Sequence, residues 1–438
     1  MSGISLDAVF MKIGLILPVE YGGGTFRLFL NLIRYFASYS RIEVVVGIPD
    51  SYLNSVKVEL EQVRKEFPNI EIRGFNWRIL TAGEVGDVLP LHGVVVHQFI
   101  SKSYQVPIDG HENFLDCNFW FIVSDRIAHP LVPLRPYGIL VTDHLQRYVP
   151  EIFGIGEFRT ENGGSWNFLR AVRNADLAVA TSEGTVADVE MYSGCLNKIL
   201  QIPTTLDIEY FLDVASLHQS FHHNITARPY CVWVTNRSVH KNHFRMLEVI
   251  RRYFEVYNGI LDIVVTGCDT KLFDPQVKIK KDDPRLSLFR NPYVRKVRES
   301  VNSILGQWAV RIHWAGEVND SEYVAIVRNS QFLVHNVLAD NGTFSVIEAA
   351  ILGRSAMSSD YPQMRELNKQ FELDLHFFDA FDIDGTAKMM SGLEGTQTHR
   401  GSRQLEQIEK FSWRSWDETL VTVIDSIVSM PRKEIACL

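Results

Sequence analysis

Two carboxylates, Asp340 and Glu348, stand with seven residues between them in the stretch HNVLADNGTFSVIEAAILG. QFLVHNV reads as a buried strand, LADNGTF as the turn at its carboxyl end, and SVIEAAILG as a helix closed by Gly353. The first turn of a helix leaves backbone N–H groups without intrahelical partners, and Gly342 lets a ligand approach them closely, so this turn is a place for an anion. A diphosphate has the charge and size. With a helix start near Thr343, Glu348 falls about one and a half turns in and Asp340 stands at the mouth. Carboxylates repel phosphates, so their useful partners are neutral hydroxyls on either side, which sugars at both ends of a diphosphate supply. The competing reading makes Asp340 a helix N-cap and Glu348 a solvated surface residue, and needs no ligand.

A second group lies in VWVTNRSVHKNHF. A buried strand ends at Thr235, Asn236 and Arg237 offer donors at its tip, and Lys241 follows near the start of the helix KNHFRMLEVIRRYF. A lysine there opposes the helix dipole unless an anion sits between them, although a solvated lysine is the plainer account. His240 and His243 flank Lys241 with no carboxylate or cysteine beside them in sequence to complete a metal set, and read as local hydrogen-bonding groups. His218, His222 and His223 also lack acidic company, so no metal is expected anywhere.

Gly22, Gly23 and Gly24 follow the first strand and precede a helix, where backbone amides can come close to a ligand or simply make a turn. The spacing is not GxGxxG, which disfavours a nicotinamide enzyme. Arg27, Arg34 and Arg41 recur every seven residues along that helix and read as a solvated stripe. In ILVTDHLQRYVPEIF, Asp143 and His144 end another strand, where they can bind sugar hydroxyls, assist proton transfer, or only shape a turn.

The elements carrying these residues alternate short apolar runs with helical stretches. KIGLILPV, IEVVVGIP, HGVVVHQFI, NFWFIVSD, YGILVTDH and ADLAVATS are unalternated and β-branched, as strands covered on both faces are, which predicts an α/β domain with a parallel doubly wound sheet. After VASLHQSFHHNITARP, read as the interdomain connection, YCVWVTN, LDIVVTG, VRIHWAG, QFLVHNV and SAMSSD predict a second such sheet. The expected division is residues 1–210, 226–408, and a C-terminal helix in 409–438 that packs back through Trp413, Trp416, Leu420, Val423, Ile424 and Ile427. Residues 270–305 read as a surface insertion ending in a helix.

Composition narrows the classes. A chain of 438 residues with 46% hydrophobic and 22% charged residues is an ordinary packed protein of about two or three domains. A net charge of -8 argues against nucleic acid as a partner. The five cysteines are scattered and form no CxxC pair, so neither a disulfide framework nor a zinc site is expected, and a reducing cytoplasm suits them. No apolar run approaches the ~18 residues that cross a bilayer, so membrane contact would be peripheral.

Together these residues resemble glycosyltransferase family 4, retaining enzymes with the GT-B fold. DNGTFSVIE matches the family's pattern of an acidic residue, seven residues and a glutamate, with Asp340 where glutamate is usual. AAILGRSAMSSDYPQMREL looks like the helix, strand and DxPxxRE turn that follow, and HKNH is similar to the mannosyltransferase branch. TDHLQRYVPEIF resembles the His-Asp-to-Pro segment with Thr142 in the histidine's place. The likeness implies two Rossmann-like domains facing each other across a cleft, and it runs through most of residues 11 to 430.

Carried over, it implies that Glu348 binds the nucleotide ribose and Asp340 the donor sugar. Lys241 and Arg237 would neutralise the leaving diphosphate, with Gly22, Gly23, Gly24, Asn236, Gly342, Thr343, Phe344 and Ser345 lining the donor site. Asp143 or His144 would lie near the anomeric carbon. The expected activity is metal-independent, retaining transfer of a hexose, such as mannose from GDP-mannose, to a glycan or lipid-linked acceptor hydroxyl. No cofactor is implied, and contact with a membrane surface or an assembly complex is consistent with such acceptors. The alternatives are a sugar-nucleotide hydrolase or epimerase, and a non-catalytic donor-binding subunit.

Overall fold

The computed structural model describes residues 11–110, 113–149, 164–194, 197–217, 225–278, 280, 282–283, 285–396, 412–431 and 434–438. The chain forms two compact units, one of Met1–Asp207 with Glu409–Leu438, the other of Ile208–Ile408.

In the first unit the strands are β1 (Met11–Ile16), β2 (Ile42–Pro49), β3 (Ile70–Thr81), β4 (Val95–Gln98), β5 (Ser103–Ile108), β6 (Phe119–Ile122), β7 (Tyr137–Val141), β8 (Leu177–Ala180) and β9 (Lys198–Gln201). Eight of them form one sheet in the order β5-β3-β2-β1-β6-β7-β8-β9. Every residue of β6, β7 and β8 is buried, which is why these strands read as continuous apolar runs. On one face Phe29, Leu32, Ile33 and Phe36 of the helix Gly24–Ala37 pack with Val44, Val46, Phe119 and Phe121. On the other, Trp120, Ile122 and Ile139 meet Ala171 and Val172. Strand order reverses between β1 and β6, the point where such a sheet opens a ligand crevice at its carboxyl ends.

Four expectations change here. The sheet is not wholly parallel, because β3 and β5 pair antiparallel at its edge. Ile70–Phe75 of β3 pairs only with β2 and Asn76–Thr81 only with β5, so each half has one open side and can carry Glu71, Arg73, Asn76 and Arg78, which hid its strand character. HGVVVHQFI supplies only β4, which leaves the main sheet and pairs in parallel with the C-terminal strand Glu434–Cys437. Val95, His97 and Gln98 are exposed, so this is no doubly covered strand. The arginine stripe is solvated only in part: Arg41 is exposed, but Arg34 is 7% exposed, with Nε 2.9 Å from Glu66 and Nη1 2.9 Å from Asp207. Arg41 pairs with Asp425 at 3.2 Å.

The C-terminal stripe belongs to this first unit. Trp413 lies in a 3-10 turn, Trp413–Ser415, and the helix begins only at Thr419, where Asp417 accepts from the Thr419 N–H at 3.0 Å. Trp413, Trp416, Leu420, Val423 and Ile424 join the core of the helix Gly24–Ala37, and the Trp416 indole donates to the Pro203 carbonyl at 3.0 Å.

In the second unit β10 (Tyr230–Val234), β11 (Asp262–Thr266), β12 (Ile312–Gly316), β13 (Phe332–His335), β14 (Ser355–Ser359) and β15 (His376–Phe378) form a parallel sheet ordered β12-β11-β10-β13-β14-β15. Its reversal lies between β10 and β13, the strands that end in the Lys241 and Asp340 segments. Gly267 closes the tip of β11 with φ 129°, and a side-chain carbon there would stand 1.9 Å from the Thr235 carbonyl oxygen, so only glycine fits. The helix Pro292–Leu305 is no surface insertion: Val294, Val297, Val301 and Leu305 enter the core with Leu272 and Phe273. The supposed connection also begins as a helix, Ile208–Leu217, whose Phe211 and Ala215 pack on Val324. Residues 218–224, with His218, His222 and His223, lie outside the described residues.

Candidate functional site

The segments after β10 and β13 are stitched together. Leu338 donates its N–H to the His240 carbonyl at 2.8 Å, and the buried Asn242 amide donates to Asn336 at 3.1 Å and to the Ala380 carbonyl at 3.0 Å. Asn242 holds φ 55°, a left-handed bend that separates the 3-10 turn Val239–Lys241 from the helix His243–Glu255. The bend turns Lys241 toward the neighbouring segment, where its ammonium lies 2.5 Å from Asp340 Oδ2. The side chains are 11% and 12% exposed.

Two imidazoles complete the ring around that oxygen, His240 Nε2 at 3.9 Å and His335 Nε2 at 4.0 Å. Asp340 Oδ1 accepts the Asn341 N–H at 2.9 Å. Burial would push the Asp340 carboxyl up, but the Lys241 ammonium foremost, then His240 and His335, more than offset it and hold the group at about 2. Burial takes the His335 ring down to about 3, so it is neutral at ordinary pH.

Past Asp340 the chain turns at Gly342, φ 102°, into the helix Phe344–Ile351. Thr343 is the N-cap, its hydroxyl accepting the Ser345 N–H at 3.4 Å. Asp340 therefore is not the cap, and Glu348 is not solvated: it is 2% exposed and its Oε2 accepts the Tyr323 hydroxyl at 2.7 Å. Both features that needed no ligand are absent. Arg237 is not brought to this cluster; its Nε donates to Asp269 at 2.7 Å. Asn236 folds its side chain onto the Ser238 N–H at 2.9 Å, a local turn. His243 is a core residue between Tyr293 (2.7 Å) and Thr235 (3.3 Å).

In the first unit Gly23, φ 66°, caps the helix Gly24–Ala37, and Gly22 and Gly23 face open space. Asp143 accepts from Arg126 at 2.8 Å. His144 is buried, with Nε2 3.0 Å from Ser193 Oγ, and burial lowers it to about 3, which makes it a poor proton donor. Sequence reasoning passed over Asp125 beside it. This carboxyl is fully buried, neither oxygen has a hydrogen-bond partner among the described residues, and burial raises it to about 7. The signal was present: SDR follows the buried strand β6 at the point of strand-order reversal.

Among the described residues no group of three or more His, Cys, Asp and Glu side chains could hold a metal ion. Nor is any helix among them long and apolar enough to cross a membrane.

Two doubly wound α/β units, the second wholly parallel and the first parallel apart from β5, define the GT-B fold. Solved structures sharing it include HepE from Anabaena in complex with UDP, at 13% identity over 95% of this chain and 100% of that one, with a TM-score of 0.59. The UDP-forming α,α-trehalose-phosphate synthase from Burkholderia vietnamiensis matches at 12% identity over 96% and 99%, with a TM-score of 0.58. Sucrose-phosphate synthase from Thermosynechococcus elongatus matches at 12% identity over 95% and 99%, with a TM-score of 0.55. No protein-family model and no curated protein matches the chain.

Proposed function

We propose that this protein is a retaining glycosyltransferase that moves a hexose from a nucleoside diphosphate sugar to an acceptor hydroxyl. One observation carries the reading: the Lys241 ammonium points to the Asp340 carboxylate, three residues before the N-cap of the helix bearing Glu348. A cation, a carboxylate and a helix start thus meet at the strand-order reversal. The barrier lies in separating charge as the diphosphate leaves, and the ammonium and helix amides stand ready to stabilise it. Asp340 holds sugar hydroxyls, Glu348 the nucleotide ribose, and a phosphate oxygen takes the acceptor's proton as attack occurs on the face of departure. Arg237 joins only if it leaves Asp269.

The folds it shares favour transfer over hydrolysis or epimerisation, since HepE was solved with UDP and the trehalose-phosphate synthase is UDP-forming. Those words support testing UDP-glucose beside the GDP-mannose drawn from HKNH. A glycan or lipid-linked alcohol is the acceptor class to try. The test is a donor screen with product stereochemistry read by NMR. Transfer with retention is expected; thermal stabilisation by a donor without turnover would mark a binding subunit instead.

A further inference from the structure

The ring around Asp340 contains an acceptor with nothing to accept. His335 ends β13 and is 1% exposed, and its Nδ1 lies 3.1 Å from Ser358 Oγ on the neighbouring strand. The Ser358 hydroxyl also lies 3.1 Å from the Ser359 carbonyl, and we assign its single proton to that oxygen, so that toward the imidazole it accepts. Nδ1 therefore carries the hydrogen. Because the buried ring is neutral, Nε2 is left as a bare lone pair.

That lone pair has no hydrogen-bond partner among the described residues and faces Asp340 Oδ2 across 4.0 Å. The gap is too long for a hydrogen bond, and both atoms are acceptors. Burying an unmade acceptor is costly, so the arrangement calls for donors brought from outside. Lys241 serves Oδ2 from 2.5 Å, but an ammonium drawn onto a diphosphate would release that oxygen as well. Two neighbouring hydroxyls of a hexose, one per acceptor, meet the demand; one hydroxyl has a single proton and cannot satisfy both.

We propose that His335 is a specificity-determining residue, accepting on Nε2 a hydroxyl of the transferred sugar adjacent to the one that Asp340 holds. This rests on the donor-site reading above and assigns a second hydroxyl contact to it. Hexoses with two neighbouring hydroxyls positioned for the pair are taken, and their deoxy forms are discriminated against.

The test is calorimetric titration with UDP and UDP-glucose, and with GDP and GDP-mannose. Asn can keep the donor to Ser358 while deleting the distal acceptor, so His335→Asn should weaken the sugar nucleotide about tenfold and leave the bare diphosphate within about twofold. His335→Gln, which can carry an oxygen out toward the lost position, should recover most of the sugar affinity. Ser358→Ala gives an independent arm should His335→Asn not fold. It frees the ring to place its proton on Nε2, and should cause the same sugar-selective loss. Equal weakening of both ligands, or of neither, in the folded variants overturns the inference alone. Wild-type protein that binds neither nucleoside diphosphate nor its sugar ester overturns the donor-site reading and the inference with it.

Discussion

Lys241 and Asp340 are 99 residues apart in sequence, yet their charged atoms are 2.5 Å apart, flanked by the imidazoles of His240 and His335. Truncating either member of such a pair leaves the other's charge poorly compensated. Lys241→Ala should lower turnover by about 10²-fold or more and destabilise the second unit. The double variant Lys241→Met/Asp340→Asn removes both charges, and should regain stability without regaining turnover. Denaturant titration beside a transfer assay checks both; a double variant less stable than Lys241→Ala would contradict the pairing.

Glu348 and Tyr323 give a second prediction. The hydroxyl at 2.7 Å orients a carboxylate that is 2% exposed. Tyr323→Phe should cost about 1.5–3 kcal/mol of stability, the usual range for a hydrogen bond to a charged group. Glu348→Ala should abolish transfer and weaken nucleotide binding, whereas Tyr323→Phe should raise KM more than it lowers kcat.

The pH dependence centres on Asp125. An acid whose folded pKa is raised, here to about 7 by burial, binds its proton more tightly when folded than unfolded. Between roughly pH 4 and pH 7 the folded state then holds more protons, so this group's contribution to stability falls as pH rises through that window. Asp125→Asn removes the effect. The variant should melt higher than wild type at pH 7, by about 2 °C or more, with the gap closing toward pH 4. A gap that widens on acidification would be the wrong sign.

Gly267→Ala should destabilise by about 1–3 kcal/mol, since the added carbon meets the Thr235 carbonyl and the backbone sits at φ 129°. Thr235 immediately precedes Asn236 and Arg237, so the variant should also lose donor affinity. Chemical denaturation and nucleotide titration separate the two effects.

What the sequence revealed followed from burial and from turn chemistry. Strands β6, β7, β8 and β13, buried at every residue, were legible because a short unalternated apolar run fits best between two covering layers. The DNGT turn was legible because glycine and a capping threonine mark a strand end and a helix start. Strand β3 was not, because a strand whose two halves each pair on one side only can carry arginines and an asparagine. The Arg34 stripe misled for the opposite reason: its partners Glu66 and Asp207 are remote in sequence, so nothing local marked it for burial. His335 and Asp125 escaped notice because their chemistry depends on what fails to reach them, and only three-dimensional packing shows that.

The C-terminal stripe has a consequence for synthesis. Because Trp413, Trp416 and the helix Thr419–Val428 complete a core begun by residues 11–207, the unit whose chain emerges first from the ribosome is finished last. The continuous second unit can close as soon as it is made, while its predecessor waits with an apolar seam uncovered. Newly made protein is therefore most exposed to chaperone capture and aggregation in the interval before residues 413–428 have emerged.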